Sequence, residues 1–277
     1  MMLLIATGLA WAPVARHPVH SARTALRCCA TEPTVTAPGQ AEDRLVAGPP
    51  PAQAARAELK AELLLAAAAC NRGFGATKAD RARVAKLFDA LEGLSPTPDA
   101  TAGITGGTPG SSAPLVGCWR LVYTTANDVL SLDASPVAGV GPVYQLIERP
   151  NDVTNIIDLY PRFETLLPIG SFTSATRLRV MTRAAARSAS RVGLTFYEAR
   201  AEQRALLGQD VGFLPTLGGP LPQLPGAIGT DPATTTSPSF FDVVYLDEQM
   251  LLIRQNSPGG VFAAVRVDAA ELDASPL

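Results

Sequence analysis

The order of apolar and polar positions divides the chain into a short helical part and a long β part. From Ala52 to Cys70 the residues are strong helix formers, with Ala-Glu-Leu-Lys-Ala-Glu-Leu-Leu-Leu-Ala-Ala-Ala-Ala at their centre. Leu59, Leu63 and Ala66/Ala67 recur at i, i+4 and i+7/8, which puts them on one helical face. Asn71-Arg72-Gly73 supplies a C-terminal stop. Thr77 caps a second helix, with Asp80 three residues on as an imperfect capping box. Val84, Leu87, Phe88 and Leu91 form its apolar face, and it ends at Glu92-Gly93, before Pro96 and Pro98. The spacing predicts two short amphipathic helices in an antiparallel pair. Each needs something to cover its apolar stripe.

After residue 114 the period falls from 3.6 to 2. Trp119, Leu121 and Tyr123 alternate with Arg120, Val122 and Thr124, which predicts a strand. Further strands are expected at Val143–Ile147, Val153–Tyr160, Phe172–Met181, Arg191–Ala199, Ser239–Leu246, Met250–Arg254 and Val261–Val267. Asn151-Asp152, Asp247-Glu248-Gln249 and Ser257-Pro258-Gly259-Gly260 read as tight turns. About eight strands in succession with no helix between them argue for an antiparallel barrel or sandwich. Residues 208–238 interrupt the pattern with six prolines and many glycines, among which Phe213, Leu214, Leu217, Leu221, Leu224 and Ile228 are spread. A loop of that length is usually functional or disordered, and its apolar content favours a cover for a barrel mouth or a contact with lipid. The resulting organisation is 1–30 leader, 31–51 Pro/Ala/Thr-rich disordered linker, 52–94 helical pair, 95–114 second linker and 115–268 β domain.

Composition narrows the chemistry. Both histidines, His17 and His20, lie in the first thirty residues. That stretch has no Asp or Glu but carries Arg16, Arg23 and Arg27, the composition of an organelle transit peptide. Leu26-Arg27-Cys28-Cys29-Ala30 resembles a plastid processing region. The apolar start, Leu3-Leu4-Ile5 to Ala12, also fits the first half of a two-part leader. Once the leader is removed no histidine remains, so His-dependent triads, a histidine base and imidazole metal sites are excluded. No CxxC, phosphate loop, Rossmann fingerprint or metal-ligand spacing occurs, and no cofactor is expected. Cys70 and Cys118 are expected to stay unpaired. The net charge of -2 argues against nucleic acid. No run of eighteen apolar residues predicts a transmembrane helix.

Several short patterns occur in a fixed order. They are Asn71-Arg72-Gly73, Leu91-Glu92, Pro96-Thr97-Pro98, Gly117-Cys118-Trp119-Arg120-Leu121-Val122-Tyr123-Thr124-Thr125, Gly141-Pro142-Val143-Tyr144-Gln145, Asn155, Tyr245-Leu246-Asp247, Ile253-Arg254, Gly259 and Phe262. The ordered set resembles the plastid lipid-associated protein (PAP/fibrillin) family over about residues 56–268. Two positions depart from the family's closing pattern, Leu252 and Gln255. The resemblance implies a mainly β protein, a lipocalin-like antiparallel barrel preceded by a short helical pair. It also implies a plastid location at plastoglobules or thylakoids and binding of carotenoids, prenylquinones or acyl lipids without catalysis. Alternatives are a coat protein of lipid globules or a scaffold for a plastid prenylquinone-synthesising enzyme.

On that reading an apolar ligand is held by inward residues: Leu121, Tyr123, Tyr144, Leu146, Leu178, Val180, Val192, Leu194, Phe196, Val243 and Val265. The same alternation also fits a barrel filled by its own side chains. The resemblance further implies that Gly117 lets the chain turn, that Trp119 plugs the closed end, and that a late-strand arginine, Arg254, lies across its ring. Tyr245 and Asp247 belong to the same signature, although Asp247 also reads as a turn residue bonding its own backbone. Asn155 is either a polar contact in the cavity or a satisfied sheet residue. Arg177, Arg179, Arg183, Arg187 and Arg191 form either a solvated outer face or an attraction for anionic lipid. Phe213, Leu214, Leu217, Leu221 and Leu224 are the candidate lipid-surface loop.

Overall fold

The computed structural model describes residues 51–110, 112–162, 174–221, 232–233, 239–257 and 259–274. Helix α1 (Pro51–Ala69) and helix α2 (Lys78–Glu92) form the expected antiparallel pair. Pro51 suits the first turn of α1, where a missing N–H costs nothing. The capping box of α2 is complete: the Asp80 N–H donates to Thr77 Oγ1, and the Thr77 N–H donates to Asp80 Oδ2. Between the helices Asn71, Arg72 and Gly73 all take positive φ. A Cβ on Gly73 would sit 2.0 Å from the Thr124 carbonyl oxygen, so only glycine lets this turn approach the sheet so closely. Arg72 fixes the turn from the other side by donating to the carbonyls of Gly141 and Val140.

The β domain contains β1 (Gly117–Thr124), β2 (Ala138–Glu148), β3 (Asp152–Pro161), β4 (Ala175–Ala186), β5 (Arg191–Leu206), β6 (Gln209–Asp210), β7 (Leu217–Pro220), β8 (Phe240–Leu246), β9 (Met250–Gln255) and β10 (Gly260–Val267). They pair in the order β4-β3-β2-β1-β10-β9-β8-β5, and β5 returns to β4. The result is a closed eight-stranded antiparallel barrel. Closure removes the exposed edges that an open sheet would leave. Short β6 and β7 pair with β5 outside the ring. Strand β5 meets β8 only through Arg191–Gly193, and further along the same edge it meets β7 through Glu198–Ala201.

The two helices lie on the outer face of β1, β8, β9 and β10. Leu63, Val84, Phe88 and Leu91 bury against Tyr123, Val244, Tyr245, Met250, Leu252 and Ala263. Each such side chain contributes roughly 1.5–3 kcal/mol by leaving water. Polar ties fix the orientation of the pair. Lys60 Nζ donates to Asp247 Oδ2 at 2.7 Å, and the Tyr245 hydroxyl donates to the same oxygen at 2.5 Å. Arg254 pairs with Asp89 and Glu92 of α2 at 2.8 and 2.9 Å.

Two short elements were not legible in the sequence. Helix α3 (Asn127–Leu130), continued by a 3-10 turn at Ser131–Ala134, places Val129 and Leu132 over one end of the barrel with Phe74. Helix α4 (Ala270–Ala274) presses Leu272 onto Cys118, Tyr144 and Ile156 on the outer face. Beneath it Arg177 and Asp158 form a bidentate ion pair at 2.7 and 2.9 Å, both side chains fully buried. Arg177 also donates to the Leu272 carbonyl. Cys70 and Cys118 are buried free thiols.

Candidate functional site in the barrel interior

The inward face of the barrel has two different halves. The first is solid. Trp119, Ile147, Val153, Ala184, Val192, Leu251, Ile253 and Ala264 fill it, and Ala100, Ile104 and Leu115 enter from residues 95–116. Ala100 and Ile104, from the stretch 95–114 expected as a linker, therefore combine with Leu115 to close one end of the barrel. Trp119 Nε1 donates to the Leu115 carbonyl, which ties ring and plug together.

The cation over the Trp119 ring is Arg266, 4.1 Å from its centroid, and not Arg254. The register explains this. Trp119 lies directly opposite Arg266, whereas Arg254 points outward to α2. Arg266 also donates to the carbonyls of Pro114, Val116 and Glu248. Burial pushes its guanidinium below the ordinary arginine range, opposed by Asp247 and Glu248. A Cβ on Gly117 would fall 2.2 Å from Arg266 Nη1, so Gly117 has to be glycine for this contact as well as for its φ of 148°.

The second half is looser. It is walled by β2–β5 and includes Leu121, Val143, Ile157 and Leu159, with Leu178 packed beside them. On β5 the large inward residues Val192, Leu194 and Phe196 stop at a bulge at Tyr197, where Thr182 pairs with Phe196 and Met181 with Glu198. Beyond the bulge the inward positions are Ala199 and Ala201, opposite Val180 and Leu178. Phe196, Ala199, Ala201, Leu178, Leu159, Gln145 and Asn155 remain only half-buried. A residue paired on both sides within a sheet gains most of its exposure through its side chain. These inward side chains therefore border space that solvent reaches.

Seven of the expected lining residues face inward: Leu121, Leu178, Val180, Val192, Leu194, Phe196 and Val243. Four do not. Tyr123 and Val265 lie on the outer face under the helical pair, and Tyr144 and Leu146 lie outside with α4. For Tyr123 the cause is a bulge between Leu121 and Tyr123 that moves the strand's phase by one residue. For the others the cause is burial of both sheet faces, which makes either phase of the alternation apolar.

The other candidates find local roles. Asp247 Oδ1 accepts from the N–H groups of Gln249 and Met250, so it shapes the turn while Oδ2 anchors α1. Burial pushes its carboxyl up, but the bonds from Lys60, Tyr245 and the two N–H groups prevail and hold it below the usual carboxylate range. Burial and the neighbouring Asp247 raise the Tyr245 phenol. The arginine run divides, with Arg177 buried, Arg179 half-buried and Arg183 and Arg191 exposed on the outer face. Arg177 is buried with Asp158, Arg179 pairs with Glu202, Arg191 pairs with Asp242, and Arg183 lies over Tyr197. Phe213, Leu214 and Leu217 are exposed on the β6–β7 segment, Leu221 is half-buried, and Leu224 lies outside the described residues. Among the described residues no cluster of His, Cys, Asp and Glu can hold a metal, and no helix is long and apolar enough to cross a membrane.

The PAP_fibrillin family model matches residues 57–263, which spans most of α1, all of α2 and nearly the whole barrel. The chain belongs to the PAP/fibrillin family. It is thus a plastid lipid-associated protein of a family that is generally structural rather than catalytic. No curated protein and no solved structure matches it. The matched span of this PAP/fibrillin chain ends inside β10 and leaves out Arg266, the residue that covers Trp119.

Proposed function

We propose that the protein holds an uncatalysed, apolar small molecule in the loose half of its barrel and keeps it available at a plastid lipid surface. One observation carries this reading. Past the Tyr197 bulge the inward residues of β5 change from large to small, and the facing Leu178 and Leu159 stay half-buried. Contact with a hydrocarbon supplies about 25 cal/mol per Å² of apolar surface removed from water, before the cost of association. The class of ligand is that of carotenoids, prenylquinones and acyl lipids. The test is mass spectrometry of lipids co-purified with protein beginning near residue 51. One such lipid near equimolar ratio supports a carrier, and recovery of none under mild extraction overturns it.

A specific surface favours a second role, as a peripheral coat on plastoglobules or thylakoids. Leu206, Leu207, Phe213, Leu214 and Leu217 are all 41–73% exposed and follow one another along the β5–β6 hairpin and the segment that leads into β7. Leu207 takes a positive φ of 50° at its tip, a conformation that a leucine adopts at a cost. Single exposed apolar side chains are ordinary, but a group of five marks a contact surface. Leu207→Glu with Phe213→Glu reduces flotation with vesicles on this reading and leaves interior binding intact. Unchanged flotation removes this role. A plastid enzyme partner, the third reading, is tested by co-purification.

A further inference from the structure

Two neutral side chains stand at the level where the barrel stops being solid. Gln145 and Asn155 face each other directly across β2 and β3, and Gln145 Nε2 donates to Asn155 Oδ1 at 3.1 Å. Both point inward, because Val143 and Ile147 on one strand and Val153 and Ile157 on the other belong to the interior clusters. Across β4 and β5 the same level is completed by Val180 and Ala199. The level below is Ile147, Val153, Thr182 and Phe196, and the level above is Val143, Ile157, Leu178 and Ala201. The amide pair therefore stands on the floor of the loose half, opposite its smallest wall residue.

The pair makes one hydrogen bond and has capacity for more. After that bond one amide NH₂ and one amide carbonyl are left without a partner among the described residues. This is true whichever way the two amides are turned. Thr182, diagonal to Asn155 and about 7–8 Å away by sheet geometry, adds an observation of its own. It is fully buried in the interior, and its hydroxyl has no hydrogen-bond partner. The next polar level toward the mouth is different: Gln203 is committed to the carbonyls of Ala175 and Ala205, and Thr176 bonds Gln203. Unused polar capacity is thus concentrated at the floor. Of these groups the Thr182 hydroxyl is fully buried, and a buried group of this kind is normally satisfied.

The inward positions of β2–β5 among the described residues carry no charged side chain. An ionised carboxylate or phosphate entering there would lose its hydration, and the inward cation of β10, Arg266, is already engaged by the Trp119 ring and three carbonyls. From the amide level to Leu159 the wall rises four residues, roughly 13 Å at 3.3 Å per residue, and is lined by Ile157, Leu178 and Ala201. We infer that this is a head-down site for an uncharged apolar molecule whose one end bears a carbonyl or hydroxyl oxygen. The oxygen is held by Gln145 and Asn155, and the hydrocarbon tail runs toward the mouth. The assignment rests on the carrier reading and narrows it: free fatty acids and unsubstituted hydrocarbons are the disfavoured ligands.

The test uses three probes with alkyl tails of similar length: a decyl-substituted benzoquinone, decylbenzene and decanoate. Binding at pH 7 is measured by titration against the wild type, Asn155→Ser and the double variant Gln145→Met/Asn155→Leu, with unchanged thermal midpoints as the folding check. The wild type is expected to bind the quinone at least tenfold more tightly than either control. The double variant is expected to lose that preference while keeping its affinity for decylbenzene. Asn155→Ser, which preserves a small polar group, is expected to fall between them. Equal binding of quinone and decylbenzene by the wild type overturns the head site and leaves the carrier reading standing. So does a preference that survives in a folded double variant, or tighter binding of decanoate. Binding of none of the probes overturns both.

Discussion

Removal of the Asp158 carboxylate is the sharpest test of the packing beneath α4. Asp158 and Arg177 have no solvent exposure, and the guanidinium is held by two carboxylate contacts at 2.7 and 2.9 Å and by the Leu272 carbonyl at 2.6 Å. Asp158→Leu strips the guanidinium of both carboxylate contacts and leaves its charge buried beside Cys118, Tyr144, Ile156 and Leu272. Breaking a buried pair by removing one partner costs about 3–5 kcal/mol. That is a large part of the 5–15 kcal/mol typical of a whole domain. Asp158→Leu with Arg177→Met removes both charges and fills the space with apolar atoms. It is expected to lie within about 1–2 kcal/mol of the wild type, because the desolvation of two ions is removed together with their attraction. Urea unfolding of the protein beginning near residue 51 gives the energies of the wild type, both singles and the double, and the cycle isolates the coupling. A single variant that costs under about 1 kcal/mol, with an unchanged urea slope, refutes the claim that the pair is dry. A double variant as unstable as the single refutes the claim that uncompensated charge is the cause.

Other consequences are more local. Arg266→Ala removes the cation from the Trp119 ring and leaves three carbonyls without their donor, so a loss of roughly 1–3 kcal/mol is expected. Trp119 is the only tryptophan downstream of Trp11, and its emission should shift to the red; an unchanged spectrum counts against the stacking. Thr77→Ala opens the capping box and should lower stability by about 1 kcal/mol, measured by thermal unfolding. Asp247, held below its ordinary value near about 3.9, stabilises the fold above that pH and loses this as pH falls through its lower folded value. Asp247→Asn should therefore cost about 1.5–3 kcal/mol at pH 6, and the gap from wild type should shrink toward pH 2.5. Burial pushes the Cys118 thiol up to about 11, so it should resist thiol reagents at pH 8 until urea unfolds the protein; rapid labelling of the native state contradicts this.

The helical pair was legible almost residue by residue because its signals are local. The 3.6 spacing of Leu63, Val84, Phe88 and Leu91, the Thr77–Asp80 box and the Asn-Arg-Gly stop act over three or four residues. The strands were legible as strands for the same reason, although β4 and β5 run on to Ala186 and Leu206, beyond their expected ends. Which face of a strand looks inward was less accessible. Strand β10 presents Val261, Ala263 and Val265 on one side and Phe262 and Ala264 on the other, and both sides are buried, by the helices and by the barrel interior. With Val265 on the outer face, Arg266 turns inward to Trp119, while Arg254 turns out to α2. Helices α3 and α4, at four and five residues, are too short to establish a period at all.

The sequence alone therefore determined the kinds of element, their order, the family likeness and the lack of histidine beyond residue 20. Those properties depend on residue type and on spacing within a few positions. Only the tertiary structure decided which arginine covers Trp119, that Ala100, Ile104 and Leu115 plug the barrel, and that Gln145 and Asn155 share a level with Ala199. Each of these depends on strand register and bulges, where one inserted residue exchanges the inside for the outside. No local pattern carries that information. It is settled when the ring closes between β4 and β5 and every strand must find its partner at once.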